Sequence, residues 1–256
     1  MIELIYSVII LVATLLGALA GLGGGVIIKP LLDLIGYHDV STISFLSSCA
    51  VLSMAIYSIF RQVRNGVEFD WKMILYVGIG AIIGGNVGSQ LFSYVINTFD
   101  ETLVKILQAL ILAVLLILTI VAINKNIKFS IRKKSIYIFV GILLGIVSSF
   151  LGIGGGPINV AVFTMFFSID IKRATIFSLA TILFSQTSKL LTIFITTGFK
   201  QYDCELLLWI IPSAIAGGII GSYLNKISSE QVIKRVFSLA VICIIFINLY
   251  IVIINV

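Results

Sequence analysis

Gly21-Leu22-Gly23-Gly24-Gly25, in the first half of the chain, returns as Gly152-Ile153-Gly154-Gly155-Gly156 in the second, 131 residues later. Both phrases interrupt long uncharged stretches. Each glycine in a helix interior costs about 1 kcal/mol relative to alanine, so four in five positions break a helix. Broken helices at membrane depth are tolerated only where they are buried in protein or line a cavity. The recurrence also makes the chain two copies of one unit.

The composition sets the environment. Hydrophobic residues are 60% of the 256 and charged residues 11%, less than half the share of an ordinary soluble domain. Uncharged runs cover 4–28, 42–60, 73–99, 106–124, 135–169, 206–225 and 236–256. Each is close to or above the roughly 20 residues that cross a hydrocarbon core. The first run lacks a basic flank and a cleavage site leading into a soluble domain, which argues against a signal peptide. The net charge of +6 comes mostly from segments between the runs, so it reports topology rather than nucleic-acid binding. Cys49, Cys204 and Cys243 have no metal or redox spacing, and a lone His38 argues against a histidine metal site.

Aligning the halves on their glycines brings Asp39 onto Asp170 and Ser47 onto Ser178. After a small gap, the stretch 84–91 falls on 217–224. The units are 1–124 and 135–256, joined by a basic linker at 125–134. The expected helices are 4–21 with 26–36, then 42–60, 73–95 and 103–123. In the second unit they are 135–151 with 157–168, then 174–195, 204–224 and 232–254.

Charge decides whether each broken segment crosses the membrane once or turns back. A single pass leaves nine basic residues on one side and six on the other. A hairpin puts Arg61, Arg64, Lys72, Lys125, Lys128, Arg132, Lys133, Lys134, Lys172, Arg173, Lys226, Lys234 and Arg235 on one side, leaving Lys105 and Lys200 on the other. Cytoplasmic loops carry such an excess of Lys and Arg. The expected fold is therefore all-α. It is a polytopic transmembrane helix bundle of two inverted-topology repeats, each a broken helical hairpin plus three spanning helices, with both termini outside.

In that arrangement the hairpins enter from opposite faces and their glycine apices approach one another. Helix N-termini carry unpaired N–H groups and about half a positive charge, so two facing one cavity suit an anion. Candidate site residues are Gly23, Gly24, Gly25, Gly154, Gly155 and Gly156, with Pro157 starting the second short helix. For the glycines at 84–88 and 217–221, tight helix packing is the favoured reading.

Several polar residues join this site. Lys29 either adds charge to it or is neutralised by Asp33, four residues on along one helix face. Asn159 stands one position before the aligned counterpart of Lys29 and offers a neutral donor. Lys189, inside Ser185-Gln186-Thr187-Ser188-Lys189, is a charge in mid-helix, either functional or snorkelling to the interface. Ser47 and Ser178 supply hydroxyls to the pathway or to helix contacts. Asp39 and Asp170 read as helix caps.

These phrases, at 21–30 and 152–157 with 84–91 and 217–224, make the chain resemble the sulfite exporter TauE/SafE family of membrane transporters. The resemblance covers nearly the whole chain and implies movement of sulfite, sulfonates or related sulfur anions. It assigns no role to Lys29 or Lys189. The expected function is a secondary transporter of a small anion in a lipid bilayer, working by alternating access. No Walker A phrase is present, and nothing calls for a metal or cofactor. An anion channel is the alternative. An intramembrane enzyme is a distant third, since no nucleophile–base pair or paired carboxylates lie in the spans.

Overall fold

The computed structural model describes residues 2–66, 70–125, 129, 131 and 133–255. Of the basic linker, Lys128 and Arg132 lie outside the described residues. The described residues form ten helices in two runs of five. The first run is α1 (Ile2–Ala20), α2 (Gly25–Ile35), α3 (Val40–Arg64), α4 (Trp71–Thr98) and α5 (Glu101–Asn124). The second is α6 (Lys134–Leu151), α7 (Gly156–Phe166), α8 (Ile171–Thr196), α9 (Leu207–Ile227) and α10 (Glu230–Asn255). Eight are long and apolar enough to cross a membrane. The exceptions are α2 and α7, 11 residues each, which rise only about 17 Å. This is a multi-pass membrane protein, and its outer surface is accordingly apolar, as at Leu118, Leu208, Phe246 and Ile253.

Each broken segment turns back on itself. The Tyr6 hydroxyl, near the start of α1, lies 3.0 Å from His38 Nδ1, just past α2. Tyr137, near the start of α6, packs edge-on against Phe167, just past α7, with ring centroids 5.1 Å apart. The glycines make both turns possible. Gly21, Gly23, Gly24, Gly152, Gly154 and Gly155 all have φ between +67° and +79°, a region open to glycine at little cost.

Counterpart helices α3 and α8 run antiparallel. Phe45, in the first turns of α3, stacks on Tyr202, beyond the end of α8, at 4.3 Å. At the opposite end, Lys172 Nζ donates to the carbonyl of Ser228 (2.9 Å), and Lys226 Nζ donates to Asn65 Oδ1 (3.2 Å). The packing repeats when the halves are exchanged: α4 lies on α6 as α9 lies on α1, and α5 lies on α7 as α10 lies on α2. Asp39 and Asp170 cap α3 and α8, accepting from the amides of Ser41 and Thr42 and from that of Arg173.

The late glycine stretches are packing surfaces. A Cβ on Gly84 or Gly88 would run into the carbonyls of Ile142 or Ile146 in α6, and one on Gly217 or Gly221 into α1. Gly84→Leu is expected to cost several kcal/mol, beyond the usual 1–3 kcal/mol of overpacking, because the obstacle is a backbone carbonyl. Size-exclusion chromatography of the detergent-extracted variant should show less monodisperse protein than wild type.

Candidate functional site

The two apices touch. A Cβ on Gly25 would meet the carbonyl of Ile153, and one on Gly156 would meet that of Leu22. The Ser178 hydroxyl lies 2.8 Å from the Gly21 carbonyl and 3.1 Å from that of Gly156, within donor reach of both apices. Neither α2 nor α7 has a side-chain cap; their N-cap residues are Gly24 and Gly155. Both apices are fully buried. The glycine faces therefore pack directly on one another.

The hollow lies beside the second apex. A cavity of about 340 Å³ opens between α3, α4 and the end of α8. Its mouth carries exposed Asp39, Asn97, Thr197 and Gln201; its floor is buried Ser44, Ser89, Phe92 and Lys189. Lys189 is 1% exposed. Its ammonium donates to Ser44 Oγ at 2.7 Å and sits 5.7 Å from the centroid of the Phe92 ring. It does not snorkel: the stem leads inward, and the charge ends against the apex. A Cβ on Gly152 would lie 3.4 Å from this nitrogen. No carboxylate lies within ion-pair range of it among the described residues. A buried, uncompensated cation is costly, and an anion entering the cavity would relieve that cost.

Polar atoms without partners gather around the same apex. Asn159 is 1% exposed, and neither Nδ2 nor Oδ1 has a partner. Its Oδ1 would lie 3.2 Å from a Cβ on Gly155. Ser47 Oγ, Ser149 Oγ and Gln186 Oε1 are also buried and unpartnered. Ser148 Oγ lies 3.2 Å from Ser185 Oγ and accepts from Gln186 Nε2 at 3.1 Å. Buried polar groups are as a rule hydrogen-bonded, so this cluster offers donors and acceptors to a polar solute.

The first apex lacks this polarity. At the 131-residue offset, Ser148, Asn159, Ser185, Gln186 and Lys189 correspond to Gly17, Ile28, Met54, Ala55 and Ser58. The fold is repeated, but the chemistry is concentrated in one half. A wider recess at the other end, about 570 Å³, brings Arg173 together with Asp70 and Asp170. Two carboxylates against one guanidinium make it a poor place for an anion.

Of the residues selected from sequence, Ser47 is buried in α3, while Lys189 and Asn159 stand against the second apex of Gly154, Gly155 and Gly156. Gly23, Gly24 and Gly25 belong to the first apex, packed against it. Ser178 ties the two together. Lys29 stands apart: its ammonium is 2.7 Å from Asp33 Oδ2, with side chains 4% and 7% exposed, so it is the neutralised pair. Asn86 bridges to Thr192 at 3.0 Å and only joins α4 to α8. Sequence reasoning missed Ser44, Phe92 and Ser148. A signal for Ser44 existed. It aligns with Thr175, and each abuts the opposite unit's apex, at Gly152 and Gly21 respectively.

Comparison with known proteins agrees with a membrane protein. The family model for the sulfite exporter TauE/SafE matches residues 6–248. The chain is 27% identical over 225 residues to "Probable membrane transporter protein MJ0441" of Methanocaldococcus jannaschii, covering 83% of this chain and 80% of that protein. It is 25% identical over 260 residues to "Probable membrane transporter protein YunE" of Bacillus subtilis, covering 91% and 92%. No solved structure matches. The chain belongs to the sulfite exporter TauE/SafE family of membrane transporters.

Proposed function

We propose that the protein is a secondary transporter of a small anion, held beside the second glycine apex by Lys189. The observation that carries this reading is the buried ammonium of Lys189, without an acidic partner, at the foot of a cavity. Ser44, bonded to Lys189, and Ser89 on the same floor supply neighbouring hydroxyls. Sulfite or an organosulfonate is the cargo class that fits the family and a singly charged site.

The units 1–124 and 135–256 act as inverted repeats. The antiparallel course of α3 and α8 and the opposed hairpins support this, as does the crowding of basic residues at one end. With that basic end cytoplasmic, the Lys189 cavity opens outward. Rocking of the halves across the touching apices would expose the site to the other side. A channel remains the second reading, and it is separated by kinetics: transporter flux saturates with anion concentration, whereas channel flux stays linear.

The test is a thermal-shift screen of the purified protein against sulfite, sulfate, thiosulfate, sulfonates and carboxylates. Saturating anion, at a hundred times its Kd, stabilises by about 2.7 kcal/mol through mass action. A saturable rise in Tm with a sulfur oxyanion is expected. No shift with any anion would sink the assignment.

A further inference from the structure

Val51 in α3 and Ile182 in α8 stand at the 131-residue offset, so they are counterparts in the two units. Both are fully buried, and each touches glycines of both units. A Cβ on Gly154 would lie 3.1 Å from Val51 Cγ1 and 3.5 Å from Ile182 Cγ2. One on Gly25 would lie 3.0 Å from Val51 Cγ2, and one on Gly23 would lie 2.6 Å from Ile182 Cδ1. The two branched side chains therefore converge where the apices meet. Polar residues stand on either side of them. Ser44 is seven residues before Val51, and Lys189 is seven after Ile182, so on both helices the cavity floor lies two turns, about 10 Å, toward the mouth. In the other direction Ser178 is one turn from Ile182, its hydroxyl within donor reach of both apices. Thr175 follows, its hydroxyl accepting from Asn225 Nδ2 at 3.2 Å, and both residues are buried.

We propose that Val51 and Ile182 form the apolar seal that the anion must pass on leaving the Lys189 cavity. This rests on the transporter reading above. The barrier is one of hydration. An anion among methyl groups gives up its water and gains no hydrogen bond, and a narrow apolar constriction sheds water as well. Glycine keeps the seal tight, because no side chain holds the hairpins away from Val51 and Ile182. The seal also spans the two units. Val51 belongs to the first and touches Gly154 of the second, whereas Ile182 belongs to the second and touches Gly23 of the first. Movement of one unit across the other therefore breaks the contacts that close it. Opening is tied to that movement, and flux saturates for this reason.

The experiment measures methanesulfonate uptake into proteoliposomes against its concentration, together with release of trapped iodide. Wild type should saturate and retain iodide. Val51→Thr keeps the shape of valine but puts a hydroxyl in the seal, and Ile182→Ala opens it by size. Each should add uptake that rises linearly with concentration and should release iodide; the double variant should lose saturation. Ile182→Val, still branched and apolar, should stay tight. Val241→Thr, equally buried but in α10, makes the same change outside the seal and should not leak. A Val51→Thr or Ile182→Ala protein that inserts, saturates like wild type and holds iodide would overturn the proposal. Iodide release by a wild type that takes up methanesulfonate saturably would also overturn it, whether or not the variants fold. Wild-type uptake that never saturates, or no uptake of any anion, would instead overturn the transporter reading.

Discussion

Replacing Lys189 with alanine is expected to weaken anion binding about ten- to a hundredfold without lowering the stability of the unliganded protein. A hydrogen bond to a charged group contributes about 1.5–3 kcal/mol, and each 1.4 kcal/mol is a factor of ten in affinity. The second half of the expectation separates a binding residue from a packing one. Truncating a packed side chain leaves a void and destabilises the fold. Lys189 instead lines an existing cavity and carries a buried charge with no acidic partner, so its loss removes a desolvation cost. The measurement pairs an anion titration with the Tm of the free protein. A half-saturation concentration equal to that of wild type would reduce Lys189 to a packing element.

The glycine apices should fail in two distinguishable ways. At Gly25 and Gly156 the obstacle is backbone, because a Cβ would meet the carbonyls of Ile153 and Leu22. A carbonyl held in a neighbouring turn cannot rotate aside like a flexible side chain. Gly25→Val and Gly156→Val should therefore push the apices apart and cost several kcal/mol, beyond the usual 1–3 kcal/mol of overpacking. Folded protein recovered in detergent should fall sharply. At Gly24 and Gly155 the nearest atoms would be 3.2 and 3.1 Å from a Cβ, and φ is +71° and +70°. An L-residue there pays about 1–2 kcal/mol in backbone strain. Gly24→Leu and Gly155→Leu should insert and fold, yet lose anion exchange, because the apices are displaced from the site. The control is Gly198, with φ +70° but nothing within 4 Å of its Cβ. Gly198→Ala should carry the strain alone and transport normally. Wild-type exchange rates in Gly155→Leu would remove the apex from the mechanism.

The fold was legible to an unusual degree, and the reasons are local. Uncharged runs near 20 residues mark spans because hydrocarbon offers no partner for a charge. The helix ends at Ala20 and Leu151 were readable because glycine runs cannot continue a helix in an apolar segment. Asp39 and Asp170 were readable as caps from residue type and position. The site was only half legible. Lys189 was conspicuous as a charge in mid-span, but the same rule flagged Lys29, and sequence could not rank the two. Both lie on apolar helices near a glycine apex; they differ in whether a carboxylate comes within 2.7 Å. Ser44 was passed over despite its alignment with Thr175, because a serine in a membrane helix is most often a helix contact and its partner is 145 residues away.

The amino-acid order alone determined that the glycine phrase recurs, that the chain lies in the bilayer, and that one helix breaks in each half. Those properties depend on composition and on neighbours within a few turns. Only the folded arrangement decided that the apices meet, that the hollow sits to one side of the second, and that one lysine is cancelled while the other is not. Contact, enclosure and charge compensation depend on which residues distant helices bring within a few ångströms. Two halves with the same glycine phrase thus acquire different chemistry from the side chains that α3, α4 and α8 press against them.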